Sequence, residues 1–310
     1  MRIRKSLNDQ LVAWKMDGSF RRAKQIQQSA WEFVRRCLRN RMVDVGLAII
    51  VVMSALALLA PVLPLADPTP TELDPEKKIL PPSASNWFGT DELGRDIFSR
   101  VIWGTRVSLT VATVAVLLSL MMGMVLGLTA GYFGGKVDYI IAGTIDLFWT
   151  FPPFLLALAL AAALGPSLEN VIVAISVSYW AGFARLMRGQ ALSVRERLFV
   201  EASRALGANS SRIMFWHVLP NCVAPLIVWA SIGVADAITI EASLSFLGAG
   251  TQPPTPSWGY MLFRGMPYLA DAPWISTFPG VVLLITVLGF NLFGDGLRDV
   301  LDPRMKGLRR

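Results

Sequence analysis

Residues 45–65 read VGLAIIVVMSALALLAPVLPL, a run of 21 residues without one charged side chain. A helix that crosses the hydrocarbon core of a membrane needs about 20 mainly apolar residues, because each adds about 1.5 Å along the axis. Further along the chain, Gly165-Pro166-Ser167 is a turn signal between two more apolar runs, the first interrupted only by Asp146. The other apolar runs are residues 107–135, 139–168, 170–184, 218–235 and 274–294. The sequence therefore predicts six transmembrane helices.

The composition of the 310-residue chain agrees with a membrane protein. Hydrophobic residues make up 54% and charged residues 16%, and the mean hydropathy is +0.50. Soluble domains contain about 25% charged residues, so a soluble protein with buried helices is disfavoured. Two cysteines and one histidine exclude a disulfide framework and a histidine-rich metal site. The chain contains no GxxxxGK(S/T) phosphate loop and no plausible catalytic triad, so we expect no enzyme activity from it alone.

The positive charges lie mainly on one side of the predicted spans. Of the 29 lysines and arginines, 23 fall in residues 1–41, at Lys136, in residues 185–215 and in the tail from Arg298. Cytoplasmic loops carry the excess of Lys and Arg, so both termini and segment 185–215 are predicted to be cytoplasmic. Anionic lipid headgroups are a sufficient partner, and nucleic acid is not expected. Residues 1–41 are either an amphipathic helix along the inner leaflet or a disordered basic tail.

One predicted cytoplasmic loop, EASRALGANSSRIMFWHVLPN at 201–221, is too specific to be a simple connector. Its start has a helical pattern, and Gly207 permits a sharp change of direction that a residue with a Cβ would resist. Asn209-Ser210-Ser211 is predicted to cap a following helix, and Pro220 to perturb the start of the next span. A short helix joined rigidly to a span suits force transmission from a soluble partner better than it suits substrate chemistry.

The loop resembles the EAA motif of ATP-binding-cassette importer permeases through Glu201-Ala202-Ser203, Gly207 and Leu219-Pro220. Ser203 replaces the second alanine of that pattern, and His217 stands where an isoleucine commonly precedes the proline. Three further strings resemble the dipeptide/oligopeptide permease family, specifically its C-type membrane subunit. They are NWFGTDELGRDIFSRVIWGTRVSL at 86–109, EASLSFLGAGTQPPTPSWGYML at 241–262 and FNLFGDGLRDVLDPRMKG at 290–307. The likeness runs from about residue 30 to the C-terminus.

The resemblance implies an all-α polytopic membrane protein with the type I importer transmembrane fold. A coupling helix at about 198–215 is expected to dock into an ATP-binding subunit. Its residues are Glu201, Ala202, Ser203, Arg204, Leu206, Gly207 and Ala208. The implied segments are a cytoplasmic basic segment at 1–41, a first transmembrane helix at 42–65, a periplasmic loop with an interfacial helix at 66–104, a core domain with five transmembrane helices at 105–296 and a cytoplasmic tail at 297–310.

The function that the resemblance implies is ATP-driven import of di- or oligopeptides across the bacterial inner membrane. The chain would share a pore with a homologous permease subunit, while two ATP-binding subunits hold ATP and Mg²⁺ and an extracytoplasmic binding protein delivers the substrate. No cofactor is expected on this chain. Two alternatives stay open. One is the same architecture for glutathione, a nickel chelate or an oligosaccharide, and the other is a secondary transporter or channel, which needs its own mid-membrane ion site.

Polar features of the predicted outer face allow two interpretations each. Asp91, Arg95, Asp96 and Arg100 form either a local ion-pair scaffold, which we favour, or a docking surface for the binding protein. Residues 252–259, QPPTPSWG, contain Pro254 and Trp258. They lie either near the binding-protein contact or in a structural re-entrant turn, and Trp258 suits the membrane interface.

Polar and small residues within the spans predict helix packing. Asp146 and Asp236 are expected to make internal hydrogen bonds or subunit contacts, because no chain of partner acids indicates a proton relay. Pro152-Pro153 is expected to kink the third span. A stripe of small residues at every fourth position of the second span favours close helix packing. It consists of Gly123, Gly127 and Gly131.

Overall fold

The computed structural model describes residues 35, 37, 39–71 and 73–301, and the regular structure within them is helical. The helices are α1 (Arg41–Leu59), α2 (Ile97–Phe133), α3 (Gly135–Trp149), α4 (Pro153–Leu164), α5 (Leu168–Arg195), α6 (Leu198–Ala205), α7 (Ser210–Ile213), α8 (Leu219–Phe246), α9 (Trp258–Gly265) and α10 (Trp274–Leu301). A π-helical turn, Met214–Val218, joins α7 to α8, and a 3₁₀ turn, Met266–Tyr268, follows α9. Most of the predicted segments 1–41 and 297–310 lies outside the described residues.

Five described helical stretches are long and apolar enough to cross a membrane: α1, α2, α5, the continuous stretch Ser210–Phe246, and α10. The helices α3 and α4 pass the same test together, but they are bent by 85° at the break between them. The break lies at Pro152 and Pro153, whose nitrogens have no hydrogen to donate to the preceding turn. The predicted third span is therefore a bent helix pair, and the kink prediction is confirmed.

Two predicted span boundaries are wrong. Helix α2 begins at Ile97, so residues expected to form a separate interfacial helix within 66–104 are the first turns of the long helix. Asp96 caps this helix by accepting a hydrogen bond from Ser99 N at 2.8 Å. The exposed Arg106 ends the apolar run at residue 107, and Arg100 is a second charge before it, but the Arg100 side chain is buried against other charged groups. The fifth span likewise continues to Phe246 and not to residue 235.

Helices α2 and α5 form the centre of the bundle and approach each other through the predicted glycine stripe. A Cβ built on Gly123 would lie 2.5 Å from Phe183 Cβ, and one on Gly131 would lie 2.7 Å from Ala191 Cβ. Gly127 faces the backbone of α5 in the same way. Because a Cβ at any of the three would collide, the two helices pack almost backbone to backbone, and the predicted packing role of the stripe is confirmed.

Helix α1 packs against α10 from the side of the bundle, and glycines again allow the two helix backbones to lie close together. A Cβ on Gly46 would lie 2.5 Å from Phe293 N, and one on Gly289 would lie 2.5 Å from Ile49 Cγ2. The opposite face of α1 is apolar and open, with Val51 57% and Leu58 78% exposed. A helix face of this composition suits contact with lipid.

The connecting segments gather at two ends of the bundle. The α6 end holds the α2–α3 turn and residues 196–218, and Arg195 Nη1 ties the two together by donating to Gly131 O at 3.2 Å. The α9 end holds residues 60–96 and 247–273. There Trp258 Nε1 donates to Val101 O at 3.1 Å and links the second of these segments to α2.

Candidate functional site

Helix α6 carries most of the predicted coupling residues and is held to the bundle by one buried side chain, Val200. Glu201, Ala202 and Arg204 are exposed, and Ser203 is half-buried, with its hydroxyl donating to Phe199 O at 2.8 Å. The helix therefore presents its charged and small residues outward.

Large apolar side chains are exposed on and beside α6. Leu198 is 82% exposed, Leu206 88% and Trp216 77%, and Phe215 is also exposed. Single exposed apolar residues are ordinary, but several within 19 residues form a patch of the kind that marks an interaction surface. We call Leu198, Leu206, Phe215 and Trp216 the α6 patch.

The end of α6 is fixed by local backbone chemistry. Gly207 has φ +81°, in the left-handed region that favours glycine, and its N–H donates to Arg204 O at 3.0 Å. Ala208 N donates to Ser203 O at 3.1 Å. These two bonds form a Schellman motif, which satisfies carbonyl groups that a helix end otherwise leaves unpaired. The turn predicted at Gly207 is confirmed.

The segment after this turn leads without a break into the long helix. Asn209 Oδ1 accepts from Arg212 N at 2.9 Å, so the predicted cap is confirmed. Pro220 cannot donate to the preceding turn, and Leu219 N donates to Met214 O, which is the wider bond of a π-turn. His217, the departure from the motif, lies half-buried in this turn. The expected coupling segment 198–215 is therefore two helical pieces that meet at Gly207.

At the α9 end, four charged side chains lie buried against one another. Asp91, Glu92, Arg95 and Arg100 are only 4%, 5%, 6% and 2% exposed. Arg95 Nε donates to Asp91 Oδ2 at 2.7 Å, and Arg100 Nε lies 3.5 Å from the same oxygen. Such burial leaves these side chains little surface for a partner, so the geometry favours the scaffold over the docking surface.

Two further contacts join this charged cluster to distant parts of the chain. Arg100 Nη1 donates to Pro68 O at 2.8 Å. Arg264 of α9 donates through Nε to Glu92 Oε1 at 2.7 Å, and this hydrogen bond raises the pKa of the Arg264 guanidinium above its ordinary value. The cluster thus holds the 60–96 segment, α2 and α9 together.

The remaining predicted residues of the α9 end lie apart from one another. Asp96 caps α2 and also accepts from Asn86 Nδ2 at 3.0 Å. Pro254 is exposed. Trp258 is fully buried, so the prediction that it lies at a membrane interface is wrong. Its ring covers Gly104 on α2, where an added Cβ would lie 3.0 Å from Trp258 Cδ1.

A buried carboxylate on α8, Glu241, was missed by the sequence reasoning. Glu241 is 0% exposed and accepts hydrogen bonds from Ser108 Oγ of α2 and Ser245 Oγ, both at 2.8 Å. Ser245 Oγ in turn accepts from Thr251 N at 3.1 Å. The only sequence signal was a glutamate and a serine four residues apart in an otherwise uncharged stretch. These hydrogen bonds connect α2, α8 and the loop that follows α8.

The acids predicted within the spans have different surroundings. Asp146 of α3 pairs with Arg185 of α5 at 2.7 Å, but both side chains are largely exposed, so this is a surface pair and a subunit contact stays a prediction. Asp236 is exposed on α8.

Among the residues that the structure describes, no three His, Cys, Asp or Glu side chains come together in a group that could hold a metal ion. Cys37 is half-buried and Cys222 buried, and both are free thiols.

Two family models match the chain. Residues 123–307 match the family described as binding-protein-dependent transport system inner membrane component. Residues 29–82 match the N-terminal transmembrane domain of oligopeptide transport permease C.

Individual proteins match over most of the sequence. The dipeptide transport system permease protein DppC of Alkalihalophilus pseudofirmus is 44% identical over 279 residues, which covers 90% of this chain and 91% of that protein. The glutathione transport system permease protein GsiD of Pectobacterium atrosepticum is 41% identical over 285 residues, or 92% and 94% of the two chains. A chain of the inward-facing MetNI methionine ABC transporter aligns with a TM-score of 0.55 at 20% identity, over 66% of this chain and 98% of that one. This last likeness shows the fold alone.

Proposed function

Because the chain belongs to the family of binding-protein-dependent transport system inner membrane components, we propose that it forms part of the pore through which an ATP-driven importer moves small peptides into the cell. The chain is a multi-pass membrane protein and a permease subunit of the ATP-binding-cassette class. Relatives named for dipeptide and for glutathione, itself a tripeptide, support a short peptide as substrate. A nickel chelate or an oligosaccharide is the alternative within the same architecture.

The rigid link from α6 into a membrane-spanning helix is the observation that carries this proposal. The α6 patch leaves Leu198 and Leu206 uncovered, and a docked ATP-binding subunit would bury them. Any movement of that subunit passes through the Gly207 turn and the Asn209 cap into the continuous stretch Ser210–Phe246. Movement of the docked ATP-binding subunit therefore tilts the helix Ser210–Phe246 relative to the rest of the bundle.

The proposed assembly assigns the remaining roles to other chains. Two ATP-binding subunits hold ATP and Mg²⁺ below the α6 end, and the excess of positive charge there supports a cytoplasmic position. A homologous permease subunit completes the pore, and a binding protein delivers peptide at the α9 end. ATP binding and hydrolysis shift the pair of permeases between two global states of the bacterial inner membrane assembly, one open to each side.

The test uses the complete importer in proteoliposomes and measures ATP hydrolysis stimulated by peptide-loaded binding protein. Glu201→Ala and Gly207→Ala are each expected to lower the stimulated rate by about tenfold, which corresponds to roughly 1.4 kcal/mol of activation free energy. Glu169→Ala is the matched control, because Glu169 is also an exposed glutamate in the first turn of its helix but lies at the opposite end of the bundle. Membrane insertion of every variant is checked by its yield in the purified complex.

Equal stimulated rates in all four proteins would contradict the coupling role of α6. A secondary transporter or channel makes the opposite prediction for the isolated subunit. Uptake of peptide by the purified chain alone, driven by an ion gradient, would overturn the proposed function.

A further inference from the structure

Helix α3 is held against α2 and α5 along one narrow stripe and is otherwise open. Ile145 is its only buried residue, packed with Trp180 and Ala184 of α5. Phe148 meets the Trp180 ring edge to face at 5.1 Å. The rest of the helix borders a groove of about 690 Å³ lined by residues between Gly135 and Leu147 and by Arg188 of α5. We call it the α3 groove. This volume lies within the range of about 300–1,000 Å³ that small-ligand sites occupy.

Two carboxylate–guanidinium pairs lie along this groove, where α3 meets α5. Asp138 accepts two hydrogen bonds from Arg188, one of them at 2.8 Å from Nη2. Asp146 accepts from Arg185 Nη2 at 2.7 Å, and these two side chains are 63% and 49% exposed. The Arg185 guanidinium also lies 4.7 Å above the Trp149 ring.

Exposed charges in a membrane-spanning region indicate which surface faces lipid and which does not. The open face of α1 carries no charge from residue 45 to residue 65, as hydrocarbon requires. Charged side chains at hydrocarbon depth are costly and face water or protein. The α3 groove is an open surface formed mainly by α3, and it faces either an aqueous space that a solute can enter or another subunit.

We propose that the α3 groove is this chain's wall of the translocation pathway, and that its two ion pairs receive the charged ends of a zwitterionic peptide in transit. The inference rests on the proposed function, since it names the part of the permease that the peptide touches. Each pair offers both signs of charge: the carboxylate accepts from the peptide ammonium and the guanidinium donates to the peptide carboxylate.

The strength and spacing of the pairs fit a passing solute. The exposed Asp146–Arg185 pair is weak, so either of its partners can exchange its contact for a peptide terminus at little cost. The part-buried Asp138–Arg188 pair makes two hydrogen bonds and exchanges less readily. Asp138 and Asp146 are eight residues apart on one helix, a rise of about 12 Å. An extended peptide of three residues spans about 10 Å, so its two ends reach from one pair toward the other. Exchange from pair to pair lets a short peptide move along the groove without losing charged partners.

Accessibility of Gly143 tests whether the groove is aqueous. A Cβ on this residue meets no atom within 4 Å, so Gly143→Cys fits without strain. In a Cys37→Ser/Cys222→Ala background and in the full importer, a membrane-impermeant charged thiol reagent is expected to label it, and peptide-loaded binding protein with ATP is expected to slow the labelling. Val51→Cys on the open face of α1 is the control that should stay unlabelled. A Gly143→Cys that resists the reagent, or that cross-links to the second permease subunit, overturns the pathway assignment.

Neutral side chains test the recognition step. The double variant Asp146→Asn/Arg185→Gln removes both charges and keeps a polar amide at each position. The amount of peptide taken up per ATP hydrolysed is expected to fall about tenfold, the factor typical for loss of one charge-assisted hydrogen bond. Asp74→Asn/Lys77→Gln removes a comparable exposed pair at the α9 end and should leave the ratio unchanged. An unchanged ratio in the first variant refutes the inference alone. Absence of peptide-stimulated ATP hydrolysis in the unmodified importer would instead refute the proposed function.

Discussion

The charged cluster of the α9 end and the α6 patch place their side chains in opposite ways. At the α9 end Arg100 is 2% exposed and Trp258 0%, because charged groups pair with one another and the indole covers α2. At the α6 end Leu206 is 88% and Trp216 77% exposed. The charged cluster and Trp258 are therefore satisfied by contacts within this chain, although other side chains of the α9 end, such as Trp87 at 64%, are exposed. The α6 patch has no such internal contacts, so another protein is needed to cover it.

The largest effect in this comparison is expected from opening the charged cluster. Asp91→Ala leaves Arg95 and Arg100 buried without their shared carboxylate, and loss of one partner from a buried pair costs about 3–5 kcal/mol. The free energy of unfolding, measured by denaturant titration in detergent, should fall by that amount. Asp74→Ala breaks an exposed pair with Lys77 and should leave the free energy of unfolding unchanged. Similar values for the two variants would show that the cluster is not a scaffold.

A matched pair of tryptophan substitutions gives the next largest difference. Trp258→Phe loses the hydrogen bond to Val101 O and part of the ring over Gly104, and should lower the free energy of unfolding by about 1–2 kcal/mol. Trp216→Phe changes a side chain that lies mostly in the open and should have no measurable effect on unfolding. An equal loss in both would mean that Trp216 packs within this chain.

A pair of glycines predicts a smaller effect whose sign differs. Gly207→Ala forces a Cβ onto a residue with φ +81° and should destabilise the chain by about 1 kcal/mol. Gly189 lies inside α5 with open space around its Cβ, so Gly189→Ala should stabilise by about 0.5–1 kcal/mol. The same denaturant titration measures both, and two changes of the same sign would contradict the backbone explanation of the α6 turn.

Features that depend on neighbours along the chain were predictable from the sequence. The turn at Gly207 and the cap at Asn209 arise from backbone chemistry within four residues. The break at Pro152-Pro153 follows from missing N–H groups. Close packing on one face of α2 followed from the spacing of its glycines, although the spacing did not identify α5 as the partner. Uncharged runs likewise located the spans.

Features that depend on contacts between distant residues were not predictable in this way. The start of α2 at Ile97 was hidden because Arg100 looks like a loop residue until Asp91 and Pro68 are placed beside it. Burial of Glu241 requires Ser108, 133 positions away. Trp258 resembles an interface tryptophan until α9 folds onto Val101. The same strings of polar residues are compatible with exposure or burial, and only tertiary contacts decide between them.

The central claim, that the α6 patch is covered by an ATP-binding subunit, is tested most directly by the reactivity of Leu206→Cys. Substitution of an exposed leucine should change stability by no more than about 0.5 kcal/mol, so the variant reports on contact and not on folding. In the cysteine-free background, the rate of labelling by a water-soluble maleimide is compared in the permease pair with and without its ATP-binding subunits. Fast labelling without those subunits and strong protection with them is the predicted result. Equal labelling rates in the two assemblies would contradict the account.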